Sequence, residues 1–150
     1  MEPSEVRVRI LGDHERLRND LVRVEGFARE ILEGLRTPIV ALRTEAEELL
    51  NRLFVHMRWE ESYLLPALRD ADAWGAERAE LLGRDHRAQR DMLEFALARL
   101  RDVVPPPASV ARDILYLVDR LREDMRVEEQ DILDERVLRD DVVGIAVETG

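Results

Sequence analysis

Cysteine is absent from this chain of 150 residues. That excludes disulfides, thiolate metal sites, iron–sulfur clusters and cysteine nucleophiles, so any metal must be held by His, carboxylates or water. Lysine is absent too: every basic residue other than three His is Arg. Glycine (7) and proline (6) are scarce, and three of the prolines stand together at Pro105, Pro106 and Pro107. Long stretches therefore run without breakers, which favours helix over a turn-rich β fold. No apolar run approaches the ~18 residues of a bilayer-spanning helix. Met1 to Arg9 is charged and lacks the apolar run of a signal peptide, so a cytoplasmic protein without a membrane partner is expected. The formal net charge of −10 repels phosphate backbones, so nucleic acid is not an expected partner.

What is present is a strongly amphipathic chain, 45% apolar and 37% charged, of a length that suits one domain. Apolar positions recur in steps of three and four. A first segment carries His14, Leu17, Leu21, Val24, Ala28, Ile31 and Leu35, with Asp13 as a candidate cap and an end near Gly34. Thr37-Pro38 supplies a stop and a new start. A second segment carries Leu42, Leu49, Leu53, His56, Glu60 and Leu64; Pro66 inside it should kink or shorten it before Asp72 to Gly75. A third carries Leu82, His86, Gln89, Leu93 and Leu100 and stops at the proline run. A fourth carries Val110, Ile114, Leu117, Leu121, Asp124, Glu128 and Ile132, with Ser109 as a candidate cap. Four helices and three short connections predict an all-α, up-down-up-down antiparallel four-helix bundle over residues 1–135. Val6 to Ile10 alternates like a strand or serves as a lead-in. Residues 136–150 form a tail whose structure the pattern leaves open. The apolar stretch Val142 to Gly150 can fold over the bundle, pair with the N-terminus or stay loose.

All three His fall on the inward stripe, each in a different helix. Glu60 lies one turn beyond His56, and Glu128 one turn beyond Asp124, so each pair projects from one face. With turns near residues 36, 73 and 106, a rise of ~1.5 Å per residue puts all six groups within ~3 Å of one level. Inward carboxylates need partners. Three imidazoles and three carboxylates at one height suggest a shared cation, and such nitrogen and oxygen donors suit iron, manganese or zinc. Taken singly, an inward His is more often a hydrogen-bonded core residue.

These segments are Asp13-His14-Glu15-Arg16-Leu17, His56-Met57-Arg58-Trp59-Glu60-Glu61, Asp85-His86-Arg87 and Asp124 to Glu129. Together they resemble the hemerythrin-like, or HHE cation-binding, family over roughly Leu11 to Asp134. The resemblance implies a di-iron centre bridged by carboxylates and an oxygen species. Carried over by position, His14, His56, Glu60, His86 and Glu128 match ligands, and Asp124 stands where the family usually has a His. Arg90 stands where oxygen carriers have a second helix-three His; a side chain with its head in solvent is expected there. Glu61, Glu129, Gln89 and Tyr63 are candidates to orient the ligands. Met57, Met125, Trp59 and Trp74 are expected to pack in the core.

Exchanging imidazole for carboxylate stabilises ferric iron and disfavours reversible oxygen carriage. Three functions remain open. The first is a non-haem iron protein that stores, senses or responds to iron, dioxygen, peroxide or nitric oxide, with metal ions and a small diatomic or peroxide ligand as partners. The second is a redox enzyme on the same site, consuming peroxide or oxidising iron. The third is a metal-free helical interaction module.

Overall fold

In a computed structural model, which describes residues 1–141, the chain folds into four helices, and the described residues contain no strand. They are α1 (Pro3–Leu32), α2 (Ile39–Ala71), α3 (Gly75–Arg101) and α4 (Pro107–Asp131). Short connections make sequential neighbours antiparallel, and α1 also packs on α4, closing the ring. Among the neighbours around the ring, α3 and α4 touch each other least, and a cleft lies between them. None of these helices is long and apolar enough to cross a membrane.

The connections follow local chemistry. Gly34, at φ 76°, ends α1. Its amide donates to the Ile31 carbonyl and the Leu35 amide to the Glu30 carbonyl, a complete Schellman closure that needs a left-handed residue. The α2–α3 turn is tight. The Asp72 carboxylate accepts from the Trp74 amide at 2.8 Å, and Gly75 lies so close to α2 that a Cβ there would sit 2.0 Å from the Leu68 carbonyl oxygen. At the far end of α3, the Arg43 guanidinium donates to the Leu100 and Asp102 carbonyls at 2.7 and 2.6 Å, satisfying acceptors that a helix terminus leaves open.

Several local expectations are corrected. Val6 to Ile10 is neither strand nor lead-in but part of α1, so Asp13 is not a cap. Val6 and Ile10 lie one turn apart on the buried face, while Val8 points to solvent. Pro66 does not shorten α2, which runs on to Ala71. Both Pro66 and Ser62, whose carbonyl loses its amide partner, are exposed, so water can replace the missing bond. Ser109 is no cap either, because α4 already begins at Pro107. Trp74 does not pack in the core; it is 62% exposed in the turn.

The apolar interior is divided. A large cluster, including Leu21, Leu50, Leu93 and Leu121, fills one end of the bundle. A smaller one, Val6, Ile10, Leu64, Leu68, Ala79, Leu82, Leu133 and Leu138, fills the other. Residues 132–141, beyond α4, contribute Leu133 and Leu138 to it, and Asp140 accepts hydrogen bonds from Ser4. Residues 142–150, the segment expected to fold back, pair or stay loose, lie outside the described residues. Between the clusters runs a polar layer: His14, His56, Glu60 and His86 are the buried polar side chains among the described residues.

Candidate metal centre

The helical stripe explains how that layer arises. His14 follows Ile10 and precedes Leu17 on the inward face of α1. His56 and Glu60 interrupt Leu53 and Leu64 on α2, and His86 falls between Leu82 and Leu93 on α3. Glu128 joins them from α4, with 15% of its side chain exposed. Donor atoms of His14, His56, Glu60 and Glu128 all lie within 4.8 Å of one another. His86 reaches the same point through Glu60, its Nε2 being 3.1 Å from Oε2. Glu60 therefore faces two ways. Its Oε1 is in contact with His56 Nε2 and 3.8 Å from His14 Nε2, while its Oε2 meets His86. Asp124 is set apart from this group. It is half-exposed on the cleft wall, with Arg120 Nε 3.5 Å from its carboxylate.

Each imidazole also has an acidic neighbour on its other nitrogen. Asp13 lies 3.6 Å from His56 Nδ1, Glu129 3.7 Å from His14 Nδ1, and Glu61 3.3 Å from His86 Nδ1. Arginines hold these acids in turn: Arg18 grips Glu129, Arg90 donates to Glu61 at 2.6 Å, and Arg16 bonds Asp13. Behind His86 the Glu61 carboxylate is within hydrogen-bond reach and fixes which nitrogen carries the proton, turning the other lone pair inward; behind His14 and His56 the carboxylates stand just beyond that reach and act through their charge. Glu61 and Glu129 were legible as candidates from sequence; Asp13 was not, because its place before an apolar stripe reads as a helix cap. Arg90 is tied to Glu61 and half-buried instead of ending freely in solvent. Tyr63 stacks on Trp59, with centroids 4.7 Å apart, and does not touch the His cluster; Gln89 lines the cleft.

Proton affinities follow from this crowding. Burial resists charge on Glu60, yet three imidazoles hold its carboxyl well below the usual range. Burial, then the nearby Glu60 charge, pushes Glu128 up to about 7. Burial disfavours the His14 imidazolium, but Glu128 and Glu60 outweigh it and raise its pKa to about 9. Burial and the crowding of Asp85 and Glu123 raise Asp124 against the pull of Arg120. Protons in this layer occupy the role a cation can take. His14 Nδ1, both ring nitrogens of His56 and Glu128 Oε1 are buried with polar neighbours near them but none in hydrogen-bond geometry. Such orphaned atoms are costly unless something else binds them, and mixed imidazole and carboxylate donors fit a transition metal.

Helices α1, α2 and α4 bring two imidazoles and two carboxylates to one point, with His86 of α3 behind Glu60, and such a group could hold a cation. Comparison with family models bears this out: the Hemerythrin HHE cation binding domain matches residues 7–135, and the chain belongs to that family. No curated protein and no solved structure gave a significant match.

Proposed function

We propose that the protein is a non-haem iron protein whose metal centre serves in sensing, storing or responding to iron, dioxygen, peroxide or nitric oxide. The observation that carries this reading is the buried layer of orphaned imidazole and carboxylate atoms between two apolar clusters. His14, His56, Glu60 and Glu128 would hold one ion. His86 and Asp124, on the cleft side, would serve a second, and Glu60, with one oxygen toward each side, is suited to be shared. Iron is favoured because the donors are nitrogen and oxygen with no thiolate, and three carboxylates suit the ferric state. Bound there, iron would supply redox chemistry and Lewis acidity toward a small ligand. The chain's own part is to hold the His86 ring in one tautomer through Glu61, to set negative charge behind His14 and His56 with Glu129 and Asp13, and to pack the layer between Leu17, Leu53, Leu64 and Leu82.

The test is metal analysis and absorption spectroscopy of protein produced with iron supplementation. We expect one to two irons per chain and near-ultraviolet bands of ferric carboxylate coordination, with both lost in His56→Ala and Glu60→Ala. Less than about half an equivalent of any transition metal, with stability indifferent to chelation, would sink the reading.

A further inference from the structure

The cleft between α3 and α4 is far larger than a diatomic ligand requires. Its volume is ≈770 Å³, and its floor is His14, His56, Glu60, His86 and Glu128. A water molecule takes only ~30 Å³ of liquid, whereas sites for organic ligands span roughly 300–1,000 Å³. The walls are also chemically particular. The sequence has four methionines, and every one after Met1 lines this cleft: Met57, Met92 and Met125. With Tyr116, Leu81 and Leu121 they give a polarizable, adaptable lining. Thioethers make favourable contacts with aromatic rings and repack around different shapes.

The charge of the rim is one-sided. Asp85, Asp124 and Asp131 line it against Arg78 and Arg120. Arg78 is occupied by both oxygens of Asp72, at 2.9 and 2.8 Å, which leaves Arg120 against three aspartates. Even with Asp124 turned to a cation, Asp85 and Asp131 outnumber it. A rim of that sign disfavours anions.

We propose that this cleft is a binding site for a planar aromatic molecule, uncharged or cationic, that carries an oxygen donor and reaches the metal layer with it. The inference rests on the metal-binding reading and deepens it, since it gives the centre an organic ligand in addition to a small gas or peroxide. The ring lies among Met92, Met125 and Tyr116, and the oxygen faces the Glu128 and His86 end of the floor.

Catechol is a suitable probe. Protein labelled with ¹³C at the methionine methyls and loaded with zinc, which is diamagnetic, is titrated with catechol and separately with catechol-3,5-disulfonate. The second compound has the same donors but two added negative charges. Catechol should shift the methyl signals of Met57, Met92 and Met125 and leave Met1 unmoved. The disulfonate should bind at least about tenfold more weakly, roughly the 1.4 kcal/mol that a tenfold ratio represents. Ala88→Trp, an exposed α3 position on the cleft wall, should abolish the catechol shifts, while Arg87→Trp, also exposed but not on the wall, should preserve them. Azide binding to the iron-loaded protein should survive Ala88→Trp, because a triatomic ligand still passes. Metal-loaded protein whose methionine signals ignore catechol overturns the cleft proposal alone, as does equal binding of the disulfonate or persistence of the shifts in Ala88→Trp. Protein that takes up no metal overturns the proposed function, and the cleft proposal with it.

Discussion

Glu60 carries more of the site than any other residue, because three imidazoles converge on one buried carboxylate. Glu60→Gln keeps the shape and removes the charge. It should lower metal content to below about a tenth of wild type, since an uncharged amide is a poor ligand for a hard cation; metal analysis of the purified variant checks this. The outer acids act more gently. Glu129→Gln leaves Arg18 without its carboxylate and His14 Nδ1 without its acidic neighbour, and should weaken metal binding about 10–100-fold with the helical signal unchanged. Competition with a chelator of known affinity measures it, and affinity within twofold of wild type would remove Glu129 from the site's support. Protonation gives a third expectation. The His14 pKa rises from 6.5 to about 9 on folding without metal, so its contribution to stability is full below pH 6.5 and is lost as pH climbs through 9. The Glu128 contribution, with the pKa raised to about 7, is lost over the lower range, from about 4.5 through 7. The depressed Glu60 works the other way, its contribution fading only as pH falls below the ordinary carboxylate range. Metal-free protein should therefore melt lower at pH 9.5 than at pH 6.5, by roughly 5–10 °C for a shift worth on the order of 2–3 kcal/mol. A melting temperature flat across that interval would show that these groups do not titrate as their contacts imply.

At the scale of helices and turns, Gly75 is the position with least freedom. A Cβ there would meet the Leu68 and Arg69 carbonyl oxygens at 2.0 and 2.8 Å, and backbone cannot swing aside as a side chain can. Gly75→Ala should cost about 2–3 kcal/mol, visible as a shifted midpoint in urea unfolding, while Gly26→Ala, with open space around its site, should be neutral or stabilising. The helices themselves were largely legible. Strict steps of three and four placed His14, His56, Glu60, His86 and Glu128 on inward faces, and equal arm lengths about each turn put them at one level. What was not legible has physical reasons. Val6-Arg7-Val8-Arg9-Ile10 satisfies a period of two and, through Val6 and Ile10 alone, a helical turn; only burial against Leu133 and Leu138, remote in sequence, decides between them. Asp124 has the right spacing from Glu128 but sits beside the α3–α4 gap, and no single-helix pattern reports how closely two helices approach. The same gap, and hence the cleft, was invisible for that reason.

For the molecule as a whole, the polar layer interrupts what would otherwise be one core. The large cluster has enough buried leucine to hold its end of the bundle without help, each such side chain contributing roughly 1.5–3 kcal/mol. The small cluster depends on the first turns of α1, the end of α2, the start of α3 and the segment after α4, all meeting beyond the layer. Cations bound by residues that together come from all four helices would tie these pieces together, and binding to the folded chain alone stabilises it by about 4 kcal/mol at a thousandfold excess over Kd. Chelation should therefore act unevenly. Amide exchange should quicken most at Val6, Ile10, Leu68, Leu82 and Leu138, and little at Leu21, Leu50 and Leu93, while the melting temperature falls by roughly 8–16 °C. Hydrogen exchange with and without a chelator measures both ends in one experiment. Equal acceleration in the two clusters would mean that the layer does not divide the bundle energetically. Acceleration confined to the small cluster would show that the metal layer, and not the apolar packing on its far side, closes that end of the protein.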